Sequence, residues 1–421
     1  MQKFKINILI LGIGQSNFLN QLYGEILKRS DFFNFNIDIL THLPNDNHNQ
    51  NNKVFQEIQE FDQYLKEISK WQKLNIFIKA LSKTFFKEAF LFELNQKKSI
   101  KNALKTCKRL ALKEYIYQNH IEPNSFDILH FHFCVSSNLE YLHFVKKDTK
   151  VICSFWGSDL FRISNIYNNY YVTKALKKAS IITVQSPEMA LAITAKYGMN
   201  LRDKIKDIRF TISTDIYDAI NLYRNDNLAL AVFKTKYKLN NGKYIVALGH
   251  NAFEENNHLK MVDALKNLPQ EYIEKITFIM HLSYGRKEEY INDLKEIILN
   301  TKDLDIKIIE DFMGPDEISQ LRLITDVMIQ APISDALSGA MTEVLYSDNK
   351  VIAGGWLPYG ILRRNQIEFE EFDKFEELPL KLVQTLETTS NNNNKKNIES
   401  FLFPEITTKD WISLFNNLNN E

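Results

Sequence analysis

Residues 330–355 read QAPISDALSGAMTEVLYSDNKVIAGG. The run entering this stretch, DVMIQAP, is short and apolar, as a buried strand is. A polar loop with Asp335 follows, then the small turn Ser338-Gly339-Ala340 and a helical AMTEVLY. After SDN the chain returns to a second apolar run, VIAGG. Strand, loop, helix and strand in this order form the βαβ unit of a parallel sheet, because parallel neighbours need a crossover between them.

The same alternation extends in both directions. Upstream, INILILGIG, FNIDILTH, FDILHFHF, KVICSFWG, ASIITVQS and DIRFTIS form one series, and KYIVALGH, ITFIMHLS, LDIKIIEDF, DVMIQAP and NKVIAGG a second. Each has the β-branched and aromatic content of a strand covered on both faces. Two α/β domains, each a doubly wound parallel sheet, are expected over residues 1–225 and 226–390, meeting near residues 215–242. The polar TTSNNNNKKN (388–397) is expected to be a loop, and Trp411, Leu414 and Phe415 mark a helix over 400–421 that packs back on the first domain. A chain of 421 residues is long enough for two such cores.

The 52 basic and 52 acidic residues cancel, which argues against a nucleic-acid partner. Cys107, Cys134 and Cys153 have no metal-ligand or redox spacing, as suits a reducing compartment. The apolar run Ile6–Ile13 is shorter than the roughly 20 residues of a membrane span and lacks a cleavage signal, so a cytoplasmic location is expected.

In open α/β sheets ligands bind beyond the carboxyl ends of the strands. Ser338, Gly339 and Ala340 put a small-residue helix start there, where free N–H groups and the helix dipole favour a diphosphate. Glu343, one turn on, can accept from ribose hydroxyls, and Asp335 would face a sugar. A plain capped helix, with Ser338 as N-cap, accounts for the same residues equally well.

Asp335-x7-Glu343 followed by KVIAGGWLPYG resembles the paired-acid motif of the GT-B glycosyltransferases that use nucleotide sugars. The resemblance implies two Rossmann-like domains facing a central cleft, with the second acid on the donor ribose and the first near the donor sugar. It also implies that Phe312, Met313 and Gly314 form the turn beside the base. The stretch ALGHNAFEENNH has no Arg or Lys before Lys260, where the family has both, and is similar to the Asn-Asn-His loop of bacterial transferases that move 4-acetamido-4,6-dideoxygalactose from a dTDP donor to a lipid-linked sugar. Charge on the leaving diphosphate would then fall to His250, His258 and Arg286, with Asn251 and Asn257 in the same donor loop.

On the acceptor side, Gly12 and Gly14 follow the first strand; Asn17 and Thr41-His42 stand where a dinucleotide site needs Gly and an acid, so no cofactor is expected. His132, Trp156, Gly157 and Asp159 resemble the family's strand-end H-x-H and H-G-S-D. Trp156 replaces the usual His, which leaves His132 as the candidate, with Asp335 and His250, for catalysis. No metal is expected, on the reading that no Asp-x-Asp triplet occurs anywhere in the chain.

Between Lys66 and Lys113 stand thirteen Lys or Arg against three Glu. Leu74, Phe77, Ile78, Leu81, Phe85 and Phe92 are expected to face the core, leaving Lys79, Lys83 and Lys87 outside with Ile76, Phe86 and Phe90. In the following helix Ile100, Leu104, Cys107 and Ala111 would face inward. Such a surface suits an anionic membrane. The expected function is sugar transfer, of hexosyltransferase type, from a nucleotide-sugar donor to a glycan or lipid-linked acceptor in bacterial surface polysaccharide synthesis, at the inner face of the plasma membrane. A sugar-nucleotide-binding protein without catalysis, or an epimerase of the same fold, are the alternatives.

Overall fold

The computed structural model describes all residues except 1–3, 14–15, 31–32, 42–53, 56, 240–241, 302, 389–392 and 421. The chain divides into two compact units, 1–210 with 408–421, and 211–407.

Unit 1 holds strands β1 (Phe4–Gly12), β2 (Phe33–Thr41), β3 (Glu57–Glu60), β4 (Ile128–His132), β5 (Lys150–Ser154), β6 (Ile181–Val184) and β7 (Ile205–Asp207). They form one sheet in the order β3-β2-β1-β4-β5-β6-β7, every pairing parallel. Unit 2 holds β8 (Tyr244–Leu248), β9 (Ile276–His281), β10 (Ile306–Ile309), β11 (Val327–Gln330), β12 (Lys350–Gly354) and β13 (Glu370–Phe372), ordered β10-β9-β8-β11-β12-β13 and again all parallel. The expected doubly wound α/β architecture is present in both units. Strand order reverses between β1 and β4 in the first sheet and between β8 and β11 in the second.

Alternation explains why these runs lie in a two-faced sheet. Ile245 and Ala247 of β8, Ile279 of β9, Met328 of β11 and Val351 and Ala353 of β12 join one core cluster. Their neighbours Val246, Leu248, Phe278, Met280, Val327, Ile329 and Ile352 join another. Successive side chains point to opposite faces, so a run apolar at every position must be covered twice.

Several boundaries differ from expectation. The units divide at 210/211 rather than 225/226, because helix Asp215–Tyr223 buries Tyr217 and Ile220 in the core of unit 2. Residues 393–397 are not loop: helix Asn393–Leu402 buries Ile398, Phe401 and Leu402, which its polar first half conceals. The rest of that stretch, 389–392, lies outside the described residues. The strand read in DIRFTIS is instead Ile205–Asp207. The charged EIQE and EEF, which carry no strand signature, form the edge strands β3 and β13.

Helix Pro404–Asn420 brings Trp411, Leu414, Phe415 and Leu418 into the core of unit 1 beside Ile6, Ile8, Ile10 and Tyr23. The Trp411 indole N–H donates to the Arg209 carbonyl at 2.8 Å, so its one polar atom is satisfied on burial. Trp411→Phe is expected to lose about 1–2 kcal/mol through that bond and the smaller ring, read by urea unfolding.

In the basic region the inward and outward faces differ from those expected. Phe86 is fully buried, whereas Leu74 and Ile78 are exposed. In helix Ile100–Ile116, Cys107 and Ala111 face inward as read, but Ile100 and Leu104 face outward.

Candidate functional site

The switch point of the second sheet collects most of the candidate donor residues. β8 is followed by Gly249, whose N–H donates to the Ile329 carbonyl of β11 at 3.0 Å. Gly249 has φ +66°, and a Cβ there would stand 3.0 Å from His258 Nε2 and 3.3 Å from Asn256 Oδ1. Both atoms are buried without a hydrogen-bond partner. The glycine thus leaves a small polar recess at the end of β8.

His250 follows directly. Its Nδ1 lies 3.2 Å from Gln330 Oε1, while Gln330 Nε2 lies 3.4 Å from Asp335 Oδ2 and 3.3 Å from the Tyr359 hydroxyl. Tyr359 donates to Asp335 Oδ2 at 2.7 Å. An amide oxygen cannot face a carboxylate, so Gln330 points its NH2 at Asp335 and its oxygen at His250. His250 therefore carries its proton on Nδ1 and keeps a lone pair on Nε2. Burial holds it neutral, its pKa lowered despite the opposing pull of Asp335. A neutral imidazole with a free Nε2 accepts hydrogen bonds and carries no charge.

Glu343 stands on helix Gly339–Tyr346, which Ser338 caps by accepting the Met341 N–H at 3.2 Å. Arg322, from helix Pro315–Ile324, donates its Nε–H to Glu343 Oε2 at 2.9 Å. The other oxygen, Oε1, is directed at the helix start, 3.7 Å from where a Cβ on Gly339 would lie. Gly339 is exposed and Ala340 buried. Arg322 is 5% exposed, and its charge also lowers the pKa values of His250 and His281, after burial. His281, at the end of β9, gives its Nε2 to the Asp311 carbonyl at 3.1 Å. A carbonyl only accepts, so Nε2 bears the proton.

Other candidate donor residues have structural tasks. Asn251 accepts the Phe253 N–H at 3.0 Å, and Asn257 donates to the Ala331 carbonyl at 2.7 Å, tying the loop to the exit of β11. His258 bonds Tyr290 at 2.9 Å, and burial lowers its pKa to about 4. Arg286 is committed to Glu288 and Glu310 at 3.2 and 2.8 Å. Met313 is buried in the core, so of the expected base turn Phe312 and Gly314 remain presented, Phe312 at 85% exposure. The chain does contain one Asp-x-Asp triplet, Asp303-Leu304-Asp305. Asp305 is bound by Thr277, Lys243 and Lys307 before β10 begins, at the amino end of that strand. Among the described residues no group of three or more His, Cys, Asp or Glu could hold a metal.

At the switch point of unit 1, the structure moves the expected acceptor residues indoors. Trp156 Nε1–H donates to His132 Nδ1 at 3.3 Å. Indole nitrogen is a donor only, so His132 is protonated on Nε2, which lies 2.9 Å from the Tyr23 hydroxyl. Tyr23 then donates to His130 Nδ1 at 2.6 Å, His130 Nε2–H to Ser154 at 2.6 Å, and Ser154 to Thr183 at 2.6 Å. Every step is directed by the first. His132 is fully buried with both nitrogens engaged, and burial pushes its pKa down to about 3. It is a core network histidine, and its catalytic candidacy is withdrawn.

Asp159 is equally internal: it accepts the N–H groups of Cys134, Trp156 and Gly157 at 2.7, 2.9 and 2.8 Å, and burial raises its pKa to about 6. Gly157, at φ +121°, begins the turn that Asp159 organises. Gly12 has φ +110°, and a Cβ there would overlap the His132 carbonyl oxygen at 2.1 Å. Gly12→Ala is expected to destabilise unit 1 by at least about 1–2 kcal/mol, visible as a lowered melting temperature. Gly14 lies outside the described residues.

No protein-family model matches the chain. Among curated proteins, an alignment over 296 positions that covers 64% of the chain is 24% identical to part of reticulocyte-binding protein homolog 1 of Plasmodium falciparum. The chain spans only 9% of that relative's length, which shows no family. Solved structures match throughout. A glycosyltransferase from Rickettsia africae superposes with a TM-score of 0.68 at 16% identity, covering 99% of both chains. Anabaena HepE in complex with UDP-glucose gives 0.66 at 11% identity, over 98% of this chain and 99% of that one. The N-terminal domain of Candida albicans trehalose-6-phosphate phosphatase gives 0.67 at 12%, over 99% and 98%. At these identities the likeness is one of fold: the chain has the GT-B fold.

Proposed function

We propose that the protein is a glycosyltransferase that binds a nucleotide sugar at the β8/β11 switch point of unit 2 and passes its sugar to a glycan or lipid-linked acceptor engaged by unit 1. The carrying observation is the Arg322–Glu343 pair beneath the exposed start of helix Gly339–Tyr346, with His250 Nε2 left as an acceptor at the end of β8. Glu343 Oε1 would take the ribose hydroxyls, the helix start would take the diphosphate, and Arg322 would supply the cation that residues 249–259 lack. The HepE complexes hold UDP and UDP-glucose, which supports this donor class. A hexosyl donor, metal independence and a place in bacterial surface polysaccharide synthesis are the finer parts of the reading.

One observation favours binding without catalysis. Asp335 already accepts from Tyr359, Gln330 and the Ala336 N–H, the last at 2.8 Å, so it positions the loop and is not a free acid or base. His250 then remains as the catalytic candidate.

Glu343→Gln removes a charge-assisted hydrogen bond and is expected to weaken the donor by about 10- to 150-fold, or about 1.5–3 kcal/mol. Release of nucleoside diphosphate from a panel of sugar nucleotides, with and without glycan acceptors, reads this. Donor affinity and turnover equal to wild type would refute the assignment. Nucleotide binding with no sugar release under any pairing would select the binding-protein alternative.

A further inference from the structure

We infer that helix Lys70–Leu81 of unit 1 is a docking surface for an anionic lipid bilayer. The helix is firmly started: Ser69 accepts the Gln72 N–H at 3.2 Å, and the Gln72 side chain accepts the Ser69 N–H at 2.8 Å. Its inner face, with Ile76, Lys79 and Ala80, lines a groove against Ala111, Glu114 and Tyr115 of helix Ile100–Ile116. On the opposite side Trp71, Leu74 and Ile78 are 82%, 46% and 59% exposed. At about 100° per residue these three fall within an arc of about 60°, so they form one stripe, not scattered exposures.

The charge around the stripe identifies the occupant. Among the described residues Lys66, Lys70, Lys87, Lys98, Lys101, Lys105 and Lys108 are exposed and belong to none of the ion pairs. The only acids between Lys66 and Lys113 are Glu67, Glu88 and Glu93, and the last two already pair with Lys174 and Lys97. An apolar stripe led by tryptophan in a surplus of lysine matches the headgroup boundary of an anionic bilayer, where indole seats at the interface and lysine meets phosphate. No helix of the described residues is long and apolar enough to cross a membrane, so the contact would be peripheral. The inference does not depend on the donor site, and nucleotide binding serves as its internal control.

Co-sedimentation of the full chain with vesicles of phosphatidylcholine, alone or mixed with phosphatidylserine, tests it. Wild type is expected to bind the mixed vesicles, to bind the neutral ones far more weakly, and to be released by salt. The triple variant Trp71→Ala, Leu74→Ser, Ile78→Ser is expected to lose at least about tenfold in partitioning, while keeping its melting temperature and nucleotide binding, since none of the three side chains is buried. Lys66→Glu with Lys70→Glu is expected to lose binding to the mixed vesicles alone. Wild type that ignores the mixed vesicles, or a triple variant that binds like wild type, would overturn the proposal. So would a concentration-dependent dimer abolished by the triple variant, since the stripe would then belong to a second copy of the chain.

Discussion

Arg322→Leu is expected to cost unit 2 about 3–5 kcal/mol, read by urea unfolding. Arg322 and Glu343 are both nearly enclosed, their side chains 7% and 12% exposed. Removing the cation leaves a carboxylate in a low-dielectric setting with the Tyr217 ring close by; burial first, and Glu343 after it, already push that phenol's pKa upward. Breaking a buried pair is far more damaging than replacing it whole. The double variant Arg322→Leu, Glu343→Leu should therefore recover most of the loss, to within about 1 kcal/mol of wild type. Nucleotide binding should fail in both. A single variant as stable as wild type would show that the pair is not buried as described. A double variant that still binds nucleotide would make the pair structural only.

Acidification from pH 7 to pH 5 is expected to remove about 3 kcal/mol from unit 1. Burial pushes the pKa values of His132 and His143 down to about 3, against 6.5 for an unperturbed imidazole. Below pH 6.5 the unfolded chain takes up protons that the folded chain refuses until about pH 3. Stability is therefore full above pH 6.5 and falls by about 1.4 kcal/mol per unit for each histidine as pH drops through that window. Asp159 acts oppositely. Its pKa is raised to about 6, so the cost of burying its charge is relieved as pH falls from 6 towards 3.8. Two histidines outweigh one aspartate at pH 5, and His130, also lowered, adds to the loss. Urea unfolding at the two pH values tests this, and equal or greater stability at pH 5 would contradict it.

The strands were legible because a sheet covered on both faces needs uninterrupted apolar runs, and VIAGG or ILILG can be little else. The edge strands EIQE and EEF were not legible, since an edge need not be apolar and their pairing comes from the neighbouring strand. Faces of the basic helices misled for a related reason. Apolar residues lie on nearly every side of helix Lys70–Leu81, so periodicity alone could not tell the packed side from the side left to solvent.

At the candidate site the spacing of the two acids stands out in the sequence, but their partners do not. Arg322 sits between Leu321 and Leu323 on a helix that ends before β11, more than twenty residues from Glu343, and only the passage through β11 to the next helix brings them together. A lone arginine among leucines was the available signal. Gln330 and Tyr359 were invisible as chemistry, because their roles depend on the proton of His250 and the orientation of one amide. His132 and Asp159 were over-read: polar residues at strand ends hold backbone and each other as readily as they hold ligands, and Trp156 above His132 was the warning.

Titration calorimetry of the full chain with UDP, GDP, dTDP, CDP and ADP bears most directly on the donor site. One nucleoside diphosphate should bind with a stoichiometry of one, and its affinity should fall at least about tenfold in Glu343→Gln while remaining unchanged in the Trp71, Leu74, Ile78 triple variant. If none binds, or if the one that binds is indifferent to Glu343, Arg322 and His250 alike, then unit 2 does not hold its ligand at the β8/β11 switch point and the account fails.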